Sequence, residues 1–202
     1  MSKLDLDGLN KLYRQPHPLV VAKTLDHIER HGRRFIELSP FCVISSAGPD
    51  GRQDVSPRGG EPGFVHVADE KTLLLPDRGG NNRLDNIRNM LSGSGQIGMM
   101  FLIPGVDDVF RVNGRVSVLD DADLLQTFIE FGKPPKVILS VTVEEAFIHC
   151  PKALMRGRLW DPMAQIDRSL LPSGTEMFTD QLGLPKPTEP EAVIVEAYRK
   201  DL

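Results

Sequence analysis

Cysteine is nearly absent from this chain of 202 residues: there are two, Cys42 and Cys150, and they form no CxxC pair. A disulfide framework or a structural zinc site needs more thiols than that. Long hydrophobic runs are missing as well. The longest strongly apolar stretch, Ile97 to Ile103, falls far short of a membrane-spanning helix. The opening residues, MSKLDLDGLNKLYR, carry acids and no apolar signal-peptide core. Positive charge is not in excess, since the formal net charge is −4. A general nucleic-acid binder needs a basic surface to neutralise phosphates, so that class is excluded, although a local basic pocket for one phosphate is not. HExxH, GxSxG and Walker A signatures are also missing. What remains is a cytoplasmic globular protein with neither nucleic acid nor membrane as partner. Its length suits one domain with terminal additions.

The periodicity places helices first and strands after them. Pro18 sits where a first helical residue belongs, Val21, Leu25 and Ile28 follow at helical spacing, and Gly32 can stop the run. These helices are expected to cover one end of a barrel. Short β-prone segments then follow at Phe41–Ser46, Gln53–Ser56, Phe64–Val67 and Thr72–Leu75, each bounded by Gly, Pro or Asp. A helix carrying Leu84, Ile87 and Leu91 interrupts them, with Asn81 or Asn82 as its N-cap. Ile97–Ile103 and Val109–Leu119 read as strands. Asp120 and Asp121 open a short helix with Leu124, Leu125, Phe128 and Ile129, which Gly132 can end. Lys136–Ile148 is a last long strand. Strands this short and close are joined by turns, which makes the sheet largely antiparallel. The expected fold is mainly β with flanking helices, a six-stranded antiparallel split β-barrel. The segment from Leu171 to Glu191 is rich in Pro, Gly and Thr and reads as an extended arm, followed by a helix from Ala192 to Arg199.

Four segments could carry chemistry. DVSPRGG (Asp54–Gly60) ends a strand in Arg58, which can grip a phosphate with two parallel hydrogen bonds. Taken alone, a hairpin with a solvated arginine is the simpler explanation. PDRGGNNRLDNIRNML (Pro76–Leu91) is more specific. It frees the backbone at Gly79 and Gly80, then enters a helix between Arg78 and Arg83. Exposed amides at a helix start attract anions, and arginines beside them are electrostatically odd unless an anion is expected. In FRVNGRVSVL (Phe110–Leu119), Arg111, Asn113 and Arg115 make one strand face polar and basic, suiting solvent, a polar ligand or a subunit contact. FIHCPKALMRGRLWDP (Phe147–Pro162) brings Lys152, Arg156 and Arg158 close to Trp160, the single tryptophan. That segment suits a planar anionic cofactor, or a surface loop with Trp160 as a packing plug. GSGQIG (Gly93–Gly98) matches the dinucleotide fingerprint in letters, but it follows a helix and precedes a strand, the wrong order for that site. His149 and Cys150 are adjacent on a strand and point to opposite faces, so they make no catalytic dyad. Cys42 reads as core. His17, His27 and His31 fall in the N-terminal helices and read as solvated.

Taken together, DVSPRGG, LLLPDRGGNNRLDNIRNML, FLIPGVDDVFRVNGRVSVLDDADLL and GKPPKVILSVTVEEAFIHCPKALMRGRLWDP resemble the pyridoxamine 5′-phosphate oxidase-related family that binds flavin mononucleotide (FMN), within it the branch of uncharacterised FMN-dependent enzymes. The resemblance spans about Phe35 to Pro162. It implies a split-barrel homodimer with FMN at the subunit interface. It also implies three parts: a helical segment 1–34 packed on the barrel, the FMN-binding barrel 35–162, and a C-terminal arm with a short helix, 163–202. On the family's phosphate-binding strand it places Val55, Ser56 and Arg58. Asn81, Asn82 and Arg83 stand in the segment that enters the helix, with Asp77 and Arg78 just before. Arg111, Lys152, Arg156, Arg158 and Trp160 are further cofactor-binding candidates, with Arg111, Arg156 or Arg158 expected to supply a positive charge near the flavin ring from the partner subunit. The oxidase's C-terminal Arg-Leu-His-Asp-Arg motif is absent and RLWDP stands instead, so the resemblance does not carry vitamin B6 oxidation with it. The implied activity is an FMN-dependent oxidoreductase acting on a small redox substrate, with NAD(P)H a candidate donor. A non-catalytic FMN carrier or flavin sensor uses the same site, and split barrels holding haem or deazaflavin, or a plain interaction module, stay open.

Overall fold

A computed structural model describes residues 3–185 and 188–201. The chain divides into two compact units, Met1–Trp160 and Asp161–Leu202. The first holds the helices α1 (Leu6–Leu12), α2 (Pro18–Ala22), α3 (Arg30–Leu38), α4 (Asp85–Ser92), α5 (Ala122–Gln126) and α6 (Lys152–Gly157). Its strands are β1 (Phe41–Ala47), β2 (Gln53–Gly59), β3 (His66–Val67), β4 (Thr72–Asp77), β5 (Gln96–Ile103), β6 (Val106–Leu119) and β7 (Val137–His149). The second unit holds two short 3₁₀ turns and the helices α7 (Gly174–Leu182) and α8 (Glu191–Asp201).

The strands form one sheet in the order β2-β1-β5-β6-β7-β4-β3, and every pairing is antiparallel. The sheet has seven strands where a six-stranded barrel is expected; they fall on the seven segments that read as strands, with Phe64–Val67 shortened to the two-residue β3. It is not closed by a backbone ladder. Its two ends meet instead through side chains, where Arg58 of β2 reaches Asp77 of β4. The inner face carries the core, built largely by alternation: Cys42 and Ile44 on β1, Leu73 and Leu75 on β4, Ile97, Met99 and Phe101 on β5, Leu139 and Val141 on β7. β6 and β7 are much longer than the other strands and form the spine of the sheet. Their register shifts at Asn113/Gly114, leaving Glu144 as an extra residue on β7. A Cβ at Gly114 would run into the Thr142 carbonyl oxygen. Bulges of this kind bend a strand and increase its twist, which curls the sheet on itself.

Several local expectations are corrected. Pro18 does open a helix, but α2 ends at Ala22, and Leu25 instead pairs with Ala146 of β7. Gly32 does not stop a helix. It lies in the first turn of α3, capped by Glu29, where a Cβ would strike the Phe110 ring. The glycine is there for close packing of α3 on β6. His27 accordingly lies in the connecting loop and bonds Asp26, while His17 caps α2 and His31 lies in α3. In α4 the inward face is Asn86, Ile87 and Met90, and Leu84 and Leu91 are exposed. Asn86 is buried because its amide bonds Ser46 Oγ and the Asp54 carbonyl, tying α4 to β1 and β2. α5, capped by Asp121, ends at Gln126, before Phe128. The segment expected to be an extended arm contains α7, with Ser173 capping the Glu176 amide and Gly183 in the left-handed conformation that ends it.

Candidate functional site

The seam between β2 and β4 opens into a cleft of about 470 Å³. One wall is β2, an edge strand, paired only with β1. Its residues alternate strictly. Ser56 and Arg58 are half-buried and line the cleft, whereas Val55 points to the other face and is exposed. The opposite wall is the end of β4 with the loop Arg78–Leu84 and the start of α4. Phe64, Ile87 and Val137 make the apolar part of the lining.

Asp77 is buried at the seam. Its carboxylate accepts from Arg58 Nε at 3.0 Å, and Arg58 also reaches Ser56 Oγ and donates to the Pro57 carbonyl. Burial pushes the Asp77 pKa up, and the Arg58 charge and hydrogen bond act against that rise. Arg78 lines the cleft, but its guanidinium is committed elsewhere: it pairs with Glu130 at 2.9 Å and donates to the carbonyls of Phe128 and Lys133. It therefore anchors the Gly79–Asn82 loop to the segment after α5. Asn81 and Asn82 do not cap α4. Asn81 Oδ1 accepts from the Arg83 amide at 2.9 Å, and Asn82 adopts a left-handed backbone with φ of 56°. The loop they build delays the helix by several residues. The N-cap position falls to Leu84, which has no side-chain acceptor, so the first amides of α4 are left without a side-chain cap. Arg83 beside them is 77% exposed and paired with Asp85.

Lys136 also lines the cleft, and among the described residues its ammonium makes no ion pair. Reading the sequence for phosphate contacts missed it, although it stands in GKPPK at the start of β7. The remaining candidates lie elsewhere in the chain, and none lines the cleft. Arg111 on β6 lies over the Phe147 ring, 5.2 Å from its centroid. Lys152 and Arg156 are on α6, and Arg158 ends that helix with φ of 50°. Trp160 donates to the Val106 carbonyl at 2.8 Å, packing the end of the unit against β6. Cys42 is core, its thiol pushed up to about 12 by burial. Among the described residues, no group of three or more His, Cys, Asp and Glu could hold a metal ion, and no helix is long and apolar enough to cross a membrane.

An open antiparallel barrel with a cation-lined cleft at its seam defines a split-barrel protein. Residues 28–150 match the family model for pyridoxamine 5′-phosphate oxidase. The chain belongs to that family. Several solved structures are similar to it. HupZ of Group A Streptococcus is 14% identical, covering 60% of this chain and 93% of its own, with a TM-score of 0.48. A relative of general stress protein 26 from Clostridium acetobutylicum, of the pyridoxinephosphate oxidase family, is 13% identical over 59% of this chain and 85% of its own (TM-score 0.45). The heme storage protein HutZ of Vibrio cholerae is 15% identical over 60% of this chain and 93% of its own (TM-score 0.42). No curated protein matches the chain.

Proposed function

We propose that the cleft binds FMN and that the protein is an FMN-dependent oxidoreductase. The observation that carries the reading is the donor set that lines the cleft: Arg58, Arg83 and Lys136, with the uncapped start of α4. Fixed cations and free helix amides are what a phosphate monoester requires. Gly79 and Gly80 have open space where side chains would stand, which leaves the loop backbone approachable. The free edge of β2 offers backbone donors and acceptors for a heterocycle, and Phe64, Leu84 and Ile87 supply an apolar wall. The donor set thus fits the group that this family typically binds.

In this reading Arg58, held by Asp77, and Lys136 hold the phosphate, and Arg83 exchanges Asp85 for it. Arg78 and Glu130 position the loop. The flavin, when bound, supplies the electron chemistry. The protein's own work is binding, orientation and exclusion of water. We take residues 35–162 as the cofactor-binding module, with 1–34 and 163–202 as additions. We further propose a cytoplasmic homodimer with the cleft at the subunit interface, because the unpaired β2 edge leaves one side of the cleft open. Sedimentation at low micromolar concentration is expected to give dimers; monomers alone would overturn the assembly.

The test of the cofactor is a pair of fluorescence-quenching titrations with FMN and riboflavin. Charge-assisted contacts contribute about 1.5–3 kcal/mol each, so losing even two of the three should weaken binding by at least on the order of a hundredfold. Equal affinity for the two flavins would remove the phosphate site. NAD(P)H consumption faster than with free FMN then separates an enzyme from a carrier.

A further inference from the structure

A second concavity, also of about 470 Å³, shares no lining residue with the cleft. It lies where the chain between α2 and α3 crosses β6 and β7. Leu25 is pinned there as an extra rung on Ala146, through backbone bonds of 3.0 and 2.7 Å. Phe35 of α3 stacks on Phe110 of β6 with centroids 5.9 Å apart, and Gly32 lets the helix come that close. Phe147 and Ile148 complete an almost wholly apolar lining.

The charges around this lining do not balance. Lys23 lines the concavity and Arg111 does not, but Lys23 Nζ and Arg111 Cζ stand 5.9 and 5.2 Å from the centroid of the same Phe147 ring. Neither makes an ion pair among the described residues. The one carboxylate at the rim, Glu29, is committed, because its two oxygens accept the amides of His31 and Gly32 at 2.8 and 2.6 Å. Asp26 nearby is taken by His27 and Lys71. The two cations act on their surroundings. His149 is held below the usual histidine range by burial, then by Arg111, then by Lys23. A ring face attracts a cation but leaves most of its N–H donors unfilled.

We propose that this concavity is a binding site for a small amphipathic carboxylate, its apolar body against Phe35, Phe110 and Phe147 and its charge toward Lys23, with Arg111 adding positive field from beside the Phe147 ring. The site is independent of the FMN reading. An aromatic acid and a medium-chain fatty acid share the required chemistry, and the test separates them.

Isothermal titration of the full chain compares 2-naphthoate, decanoate and the neutral 2-naphthylmethanol. Saturable binding of one acid per chain is expected, with 2-naphthoate about tenfold or more tighter than the alcohol, a difference that two cations readily supply. Whichever acid binds tighter assigns the body as ring or chain. Lys23→Gln combined with Arg111→Gln should bring 2-naphthoate down to the level of the alcohol, while Lys23→Arg keeps the preference. Thermal melting checks the variants, and Lys23→Gln alone, which removes no hydrogen bond or ion pair, is read if the double variant melts early. Saturating FMN should leave 2-naphthoate binding unchanged. Absence of saturable binding by either acid, or equal affinity for acid and alcohol, would overturn the proposal. So would displacement by FMN, which would make the concavity part of the flavin site.

Discussion

Replacing Arg58 by Gln should affect stability and cofactor binding together, and the two effects can be separated. Asp77 is 7% exposed and Arg58 is 21% exposed at their side chains. Removing one partner of a buried pair strands the other charge, at a cost of about 3–5 kcal/mol. Arg58 keeps contact with the open cleft, so a loss nearer 2–3 kcal/mol is expected, about 4–12 °C in melting temperature for a chain of this size. The pH dependence gives the sign. The folded pKa of Asp77 lies above its unfolded value, so ionising it in the native state costs stability. Arg58 limits that cost, and without it the folded pKa rises further. The deficit of Arg58→Gln should therefore be smallest in acid, where Asp77 is protonated in both proteins. It should grow as pH rises through the wild-type and then the variant pKa. Adding Asp77→Asn removes the stranded charge and should restore most of the melting temperature while FMN binding stays weak. Melting curves of the three proteins across pH 4 to 8 (roughly the window in which a raised carboxyl titrates), with FMN titrations at neutral pH, test it. A deficit independent of pH, or no rescue by Asp77→Asn, would show that the pair does not hold the seam.

Arg83→Ala should weaken FMN binding about tenfold to a hundredfold, because it removes one charge-assisted contact. The melting temperature of the FMN-free protein should barely move, since Arg83 is exposed and its only ion-pair partner among the described residues is the half-buried Asp85; unchanged FMN affinity would place the phosphate elsewhere. Gly32→Ala would ordinarily stabilise a helix by about 0.5–1 kcal/mol. Here the added methyl runs into the Phe110 ring, so melting should instead fall by a few degrees, about 1–3 kcal/mol of overpacking. A rise would show that α3 can shift away from β6 freely.

The strands are legible because alternation survives wherever one face is core: β1, β4, β5 and β7 all show it. The site is legible in part because glycines, asparagines and arginines between a strand and a helix have few other uses. Arg58, Asp77, Asn82 and Arg83 do meet in one cleft. What local pattern does not supply is tertiary. Asn86 faces inward because Ser46 and the Asp54 carbonyl meet its amide, and no spacing rule ranks an asparagine above Leu84 or Leu91. Gly32 reads as a stop because its neighbour, Phe110, is far along the chain. Lys136 escapes notice because a lysine opening a strand carries no signal until the strand is placed beside the loop. α7 is different: Ser173, Glu176 and Gly183 are sequence signals, and the surrounding prolines mask them.

Gly114 sits on β6, outside the lining of the cleft, at the bend where the two longest strands shift register. Any side chain there would press on the Thr142 carbonyl and force β6 from β7 where the sheet bends. In a lineage drifting by single substitutions, this position is closed to exploration while the cleft loop, with open space at Gly79 and Gly80, is free. Variation can therefore reach the loop that lines the seam far more readily than the bend that curls the sheet.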